Sequence, residues 1–233
     1  MTTSEIPLRH AIVEAYRELW RRGLNCGSTG NISCRLDDKV LITPAGAEGE
    51  SINEEMPVLI GLDGGALGPG IPSSEWRMHI AIYNRKREAM AIAHTHSDAC
   101  VALSCLRRSI PSFHYMIAGF GGNDVPCAVY APFGTPELAR NAVEALAERT
   151  ACLLANHGMV CHARTLENVV KAAIRLETLA RQYLLAVQAG NPVLLNLEEM
   201  SAEVTRYASY GSAKTSAEVP SCTRECGVTP ESV

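Results

Sequence analysis

The stretch Ala89-Met90-Ala91-Ile92-Ala93-His94-Thr95-His96 decides the reading of this chain. Its first five residues form a short apolar run bounded by polar ones, so residues 89–95 are expected as a buried strand. Side chains two apart on a strand share a face, so His94 and His96 would leave it side by side. On a helix the same spacing would send them to nearly opposite sides. Two further donors lie elsewhere: Glu75 in Pro72-Ser73-Ser74-Glu75-Trp76, and His157 in Leu153-Leu154-Ala155-Asn156-His157-Gly158. One histidine at a strand end usually serves only as a hydrogen-bonding residue. Three histidines with one carboxylate make a donor set suited to zinc or a similar divalent ion.

The chain has 233 residues, 47% of them hydrophobic, which is enough for one α/β core. Helical patterns alternate with short apolar runs, which favours α/β over all-β. The net charge is −4. The basic clusters Arg21-Arg22, Arg85-Lys86-Arg87 and Arg107-Arg108 each flank an expected helix, so they read as solvated faces and not as a nucleic-acid footprint. No apolar run is long enough to span a membrane, and Met1-Thr2-Thr3-Ser4-Glu5 does not open a signal peptide. The nine cysteines sit mostly in apolar contexts, as at Cys127 and Cys152, which suits free thiols in a reducing cytoplasm. Cys222 and Cys226 have no second pair and do not read as a structural zinc site.

Along the chain, Ser4 to Arg22 is expected as an amphipathic helix with Ile12, Val13, Tyr16, Leu19 and Trp20 on one face and Gly23 as its stop. The Gly-rich turn 27–31 leads into a hairpin, 32–36 and 40–42, turning at Asp37-Asp38. A strand at 58–62 follows. Ser73-Ser74-Glu75 is expected to cap a helix running to Asn84, with the carboxylate at its positive end. Then come the 89–95 strand, a helix 97–106, a loop 109–123 and a strand 125–130. A helix from Thr135-Pro136 to Arg149, a strand 151–155 with 159–161 pairing nearby, a long helix 165–188 and a last helix 198–208 complete the order. Residues 1–211 are expected as one domain, and 212–233, rich in Ser, Thr, Glu and Pro, as a disordered tail. His79 and His114 read as structural, and His162 as exposed.

Three separate clusters offer backbone N–H and hydroxyl donors: Gly27–Asn31, Thr43–Gly46 and Ser73-Ser74. Each alone is an ordinary turn or cap; together they could hold a phosphate.

The motifs Gly-Ser-Thr-Gly-Asn-Ile-Ser (27–33), Leu-Ile-Thr-Pro-Ala-Gly (41–46), Pro-Ser-Ser-Glu-Trp-Arg-Met-His (72–79), His-Thr-His-Ser (94–97) and Asn-His-Gly (156–158) occur in one order. In that order the chain resembles the class II aldolase/epimerase family over residues 5–211. Ile110–Ile117 and Pro132-Phe133-Gly134-Thr135 are similar to its L-fuculose-1-phosphate aldolase branch. The resemblance implies a three-layer α/β/α fold around a mainly antiparallel sheet, assembled as a C4 homotetramer with active sites between subunits. It implies zinc, with manganese or cobalt as alternatives, on His94, His96, His157 and Glu75. Ser28, Gly30, Asn31, Ala45, Gly46, Ser73 and Ser74 would surround the substrate phosphate, although Ala45 stands where the branch often has Thr. Tyr115 would act as an acid at a neighbouring subunit's site, and Phe133 and Tyr210 would shape the aldehyde side.

The implied reaction is reversible cleavage of a ketose 1-phosphate to dihydroxyacetone phosphate and a small aldehyde such as L-lactaldehyde, with Glu75 as the base that serves C3. No Schiff-base lysine is called for, and Lys39, Lys86, Lys171 and Lys214 all lie outside the motifs. Two alternatives stay open: a 5-deoxyribulose-1-phosphate/methylthioribulose-1-phosphate aldolase, and an L-ribulose-5-phosphate 4-epimerase, whose branch typically has Asp where this chain has Glu75. A non-catalytic relative, like the aldolase-like domain of adducin, is disfavoured by the complete set of donors.

Overall fold

The computed structural model describes residues 5–209. Seven strands are formed: β1 (Asn31–Leu36), β2 (Lys39–Ile42), β3 (Val58–Gly61), β4 (Ala91–Thr95), β5 (Cys127–Ala128), β6 (Ala151–Leu154) and β7 (Gly158–Ala163). Six α-helices accompany them: α1 (Glu5–Arg21), α2 (Trp76–Arg85), α3 (Asp98–Cys105), α4 (Pro136–Ala145), α5 (Leu166–Ala189) and α6 (Leu197–Ser209). The strands form a single sheet in the order β3-β2-β1-β4-β7-β6-β5. Every pairing is antiparallel except β5 with β6.

Strand alternation divides the core into two layers. Ile32, Cys34, Ala91, Ala93, Met159 and Cys161 point to one face, where Ile12, Tyr16, Leu103, Leu176 and Leu179 of α1, α3 and α5 cover them. Ile92, Val160, Cys152 and Leu154 point to the other, against Met78, Ile82 and Tyr83 of α2 and Leu138 and Ala142 of α4. Helices thus cover both faces of a mostly antiparallel sheet, as the expected three-layer α/β/α fold requires. β4 lies at the centre of the order, flanked by β1 and β7, so all five of its residues are buried.

Local chemistry sets the boundaries. The β1–β2 hairpin turns at Asp37, which takes φ 56, a left-handed conformation that Asp tolerates. α4 starts as expected, with the Thr135 hydroxyl accepting from the Leu138 N–H and Pro136 in the first turn. The Thr165 hydroxyl caps α5 by accepting from Asn168 N–H.

Four expectations are corrected. Ser73 and Ser74 do not cap α2; the flanking residue is Glu75, whose side chain makes no cap bond and turns away from the helix. Ser73 Oγ instead accepts from Glu75 N–H at 3.4 Å, which folds the turn before the helix. The strand expected at 125–130 shrinks to Cys127–Ala128, because Pro126 lacks a donor and Val129 and Tyr130 leave the sheet for the surface. The loop 109–123 contains a 3-10 helix, Tyr115–Phe120, capped by the His114 ring, which accepts from Met116 N–H. His162 is buried and not exposed, because β7 runs between β4 and β6 with both of its faces covered.

Candidate metal centre and cleft

His94 is the fourth residue of β4, and His96 lies one residue beyond the strand's end. The period of two brings their Nε2 atoms to 2.9 Å. His157 joins them from the tight turn between β6 and β7. That turn uses Asn156 at φ 53 and closes through His157 N–H to the Leu154 carbonyl at 3.0 Å. Ser104 of α3 braces it: its carbonyl accepts from Asn156 N–H at 3.0 Å and its hydroxyl from His157 N–H at 3.2 Å. The three rings stand edge-on to one another, each pair 4.8 Å apart between centroids. The chain passes so close behind them that a Cβ on Gly158 would lie 2.4 Å from the Thr95 carbonyl oxygen. Gly158→Ala is therefore expected to push β4 and β7 apart beneath the histidines. It should destabilise the fold by about 1–3 kcal/mol in chemical denaturation and weaken metal retention on dialysis.

Glu75 completes the cluster from the residue before α2 and is 4% exposed. Its Oε1 accepts from Gly134 N–H at 3.0 Å. Its Oε2 lies 2.9 Å from His94 Nε2 and 3.5 Å from His157 Nε2. Burial alone would raise this carboxyl, but His94 by charge and close contact, then His157 and the Gly134 N–H, outweigh it and hold it at about 2. Burial, and then repulsion from His94, lowers His96 to about 3 and His157 to about 4, so both rings are neutral near pH 7.

The donor set fits a cation. The Met159 carbonyl, 2.8 Å from His94 Nδ1, can only accept, so Nδ1 carries a proton, and whenever Nε2 carries none its lone pair is turned into the cluster. That lone pair faces Glu75 Oε2, which is itself buried without a hydrogen-bond donor. Two acceptors at this distance attract only with positive charge between them. A divalent ion shared by His94, His96 and His157, whose donor atoms all lie within 4.8 Å of one another, would satisfy every one of these groups.

The cluster forms the floor of a cleft of about 550 Å³. Ser28, Gly30, Asn31, Ala45, Gly46, Ser73, Ser74 and Phe133 all line it, beside Glu75, His94, His96 and His157. Ala45 N–H is not turned into the cleft; it donates to the Ile71 carbonyl at 2.9 Å. Among the described residues no lysine or arginine lines the cleft. An anion there would meet neutral donors and whatever cation the histidines hold. Asn25 links the two halves of the site: its Oδ1 accepts from His96 N–H at 3.3 Å, and a Cβ on Gly30, at φ +70, would fall 2.0 Å from that same oxygen.

Tyr115 stands apart from this cleft. It begins the 3-10 helix, is half exposed, and lines a separate depression with Met116, Arg175, Glu203, Arg206 and Tyr207. Tyr210 lies outside the described residues. The sequence assigned no individual role to Thr29, Pro44, Tyr130, Ala131 or Asn156, which line the cleft, or to Gly134, whose contribution is a backbone N–H. Thr29, Pro44, Asn156 and Gly134 all stood inside quoted motifs, but a backbone N–H such as that of Gly134 has no signature in side-chain chemistry.

Comparison with known proteins follows the same lines. A family model described as class II aldolase and adducin N-terminal domain matches residues 10–184. The chain is 43% identical over 211 residues to the 5-methylthioribulose-1-phosphate/5-deoxyribulose-1-phosphate aldolase of Rhodospirillum rubrum, covering 91% of this chain and 96% of that protein. It is 42% identical over 205 residues to the L-fuculose phosphate aldolase of Escherichia coli, covering 88% and 95%. A solved L-fuculose 1-phosphate aldolase superposes with a TM-score of 0.85 at 36% identity, covering 89% of this chain and 98% of that one. No helix among the described residues is long and apolar enough to cross a membrane.

Proposed function

The chain belongs to the class II aldolase family and is an aldolase; on that premise we propose that it cleaves a ketose 1-phosphate of the L-fuculose 1-phosphate type to dihydroxyacetone phosphate and a small aldehyde. The observation that carries this reading is the buried Glu75 carboxylate aimed at three convergent imidazoles on the floor of a cleft walled by neutral donors. The metal, zinc by the histidine-rich donor set with manganese or cobalt as alternatives, would supply Lewis-acid polarisation of the sugar's oxygens.

The chain's own residues then divide the work. Gly30, Asn31, Gly46, Ser73 and Ser74, with Ser28 nearby, would bind the phosphate through N–H and O–H donors. Cleavage removes the C4-hydroxyl proton as C3–C4 breaks and adds a proton at C3; Glu75 would deliver the proton to C3, and Gly134 N–H would keep its Oε1 in place. Tyr115 does not line its own chain's cleft, so a role in taking the C4-hydroxyl proton during cleavage, and in returning it to the aldehyde oxygen as the acid of the reverse reaction, requires a neighbouring copy. This supports a homo-oligomer, a C4 tetramer by resemblance, with sites between subunits. A single domain over residues 1–211 and a cytoplasmic location belong to the same proposal.

A second reading has its own support. The relative from Rhodospirillum rubrum acts on methylthioribulose and deoxyribulose 1-phosphates at a similar level of identity. Phe133 and Tyr130, 72% and 49% exposed, give the cleft an apolar rim that suits a methyl or methylthio end. An assay for dihydroxyacetone phosphate release, with and without chelator, decides the matter. Its substrates are L-fuculose 1-phosphate, L-rhamnulose 1-phosphate, 5-deoxyribulose 1-phosphate, methylthioribulose 1-phosphate and L-ribulose 5-phosphate. Chelator-sensitive release from L-fuculose 1-phosphate is expected. Faster release from the deoxy or methylthio sugar selects the second reading. Epimerisation of L-ribulose 5-phosphate without release rejects both.

A further inference from the structure

His79 lies wholly buried on α2, beneath the cleft and outside it. Its Nε2 is 2.6 Å from Asn31 Oδ1, and its Nδ1 is 2.6 Å from Ser33 Oγ. Ser33 Oγ is in turn 2.9 Å from the Tyr83 hydroxyl. Ser33 and Tyr83 are wholly buried as well, so water cannot substitute for any of these partners. Of the four groups only Asn31 lines the cleft.

Such a chain can run in two directions. In the first, Tyr83 O–H donates to Ser33, Ser33 O–H donates to His79 Nδ1, and His79 Nε2–H donates to Asn31 Oδ1. The Asn31 amide then keeps both N–H groups free, and its Nδ2 has no partner among the described residues. In the second, every proton is reversed: Asn31 donates to His79, His79 to Ser33, and Ser33 to Tyr83. The amide would then turn its carbonyl oxygen, an acceptor, towards any anion in the cleft.

From this geometry we infer that His79 is a positioning residue, which holds the Asn31 amide with its N–H groups presented to the substrate phosphate. The inference rests on the reading of Asn31 as a phosphate-binding residue. It explains why a short, dry chain of three hydrogen bonds underlies a site without a lysine or arginine in its lining: each neutral donor must be correctly turned, since no cationic side chain supports it. A second role as packing alone would be served by any apolar side chain of the same volume.

The test uses the metal-loaded enzyme, with inorganic phosphate as a competitive inhibitor. His79→Leu is expected to raise KM for the ketose phosphate and the inhibition constant of phosphate together by about tenfold. The kcat should stay within about threefold, and metal content should be unchanged. Ser33→Ala, a smaller change at the far end of the chain, should raise both constants by about threefold. His79→Gln, which retains a donor near the Nε2 position, should restore most of the loss. In an Asn31→Ala background His79→Leu should add nothing. A fall in kcat or metal content with phosphate inhibition unchanged would overturn the inference. So would normal phosphate inhibition in Ser33→Ala together with His79→Gln no better than His79→Leu, and that comparison decides if His79→Leu fails to fold. Normal phosphate inhibition in Asn31→Ala would overturn the phosphate reading itself, and the positioning role with it.

Discussion

Removal of the metal by a chelator, or of one proposed ligand by His94→Ala, is expected to lower aldol cleavage by about a thousandfold or more. His94 is the residue to remove because it is the pivot of the cluster. It donates to the Met159 carbonyl on one side and meets Glu75, His96 and His157 on the other. Elemental analysis and the release assay should fall together, and added zinc should restore the chelated wild-type protein but not the variant. Full activity after exhaustive chelation, or one metal per chain retained by His94→Ala, would remove the metal from the mechanism or His94 from its site. The metal-free protein should also be sensitive to acid. His96 and His157 take up protons in the unfolded chain near their ordinary value of 6.5, but in the folded chain only near 3 and 4. The unfolded state therefore binds more protons as pH falls below about 6.5, and stability is lost across that window. A bound metal competes with the same protons and should shift the loss to lower pH.

The parts of this site that were legible in the sequence depend on short-range periodicity. His94 and His96 read correctly because a strand repeats every two residues and the apolar run before them marks the strand. Thr135-Pro136 and Thr165 read correctly because a helix start is a local chemical event. What was not legible depends on strand order. His162 has the local surroundings of an edge residue, and only the placing of β7 between β4 and β6 buries it. His79 reads as a structural histidine on an amphipathic helix. Its link to Asn31 spans 48 positions and appears only once β1 lies beside α2. The Ser73-Ser74 pair misled for a different reason: its composition is that of a cap, but the turn uses the Ser73 hydroxyl one residue early and delivers Glu75 to the cleft. The resemblance to the family supplied the long-range part of the site that periodicity does not carry.

Glu75→Gln isolates the proton-transfer role from the metal site. The amide is nearly isosteric with the carboxylate, and its oxygen can still accept from Gly134 N–H, so the backbone arrangement should persist. What is lost is the negative charge facing His94 and His157, and with it the ability to take or return a proton. The kcat is expected to fall by about a hundredfold to ten-thousandfold, the range typical of a missing general base. Turnover alone would not separate this from weaker metal binding, so the decisive readout is a half-reaction. Dihydroxyacetone phosphate incubated with wild-type enzyme in deuterated water should exchange one C3 proton, and with metal-loaded Glu75→Gln it should not. Exchange at the wild-type rate in the variant would assign the proton to another group. Loss of exchange accompanied by loss of metal would make Glu75 a ligand first. Retained metal with lost exchange is the expected result, because the three imidazoles converge without Glu75 and the amide of the variant cannot take or return a proton.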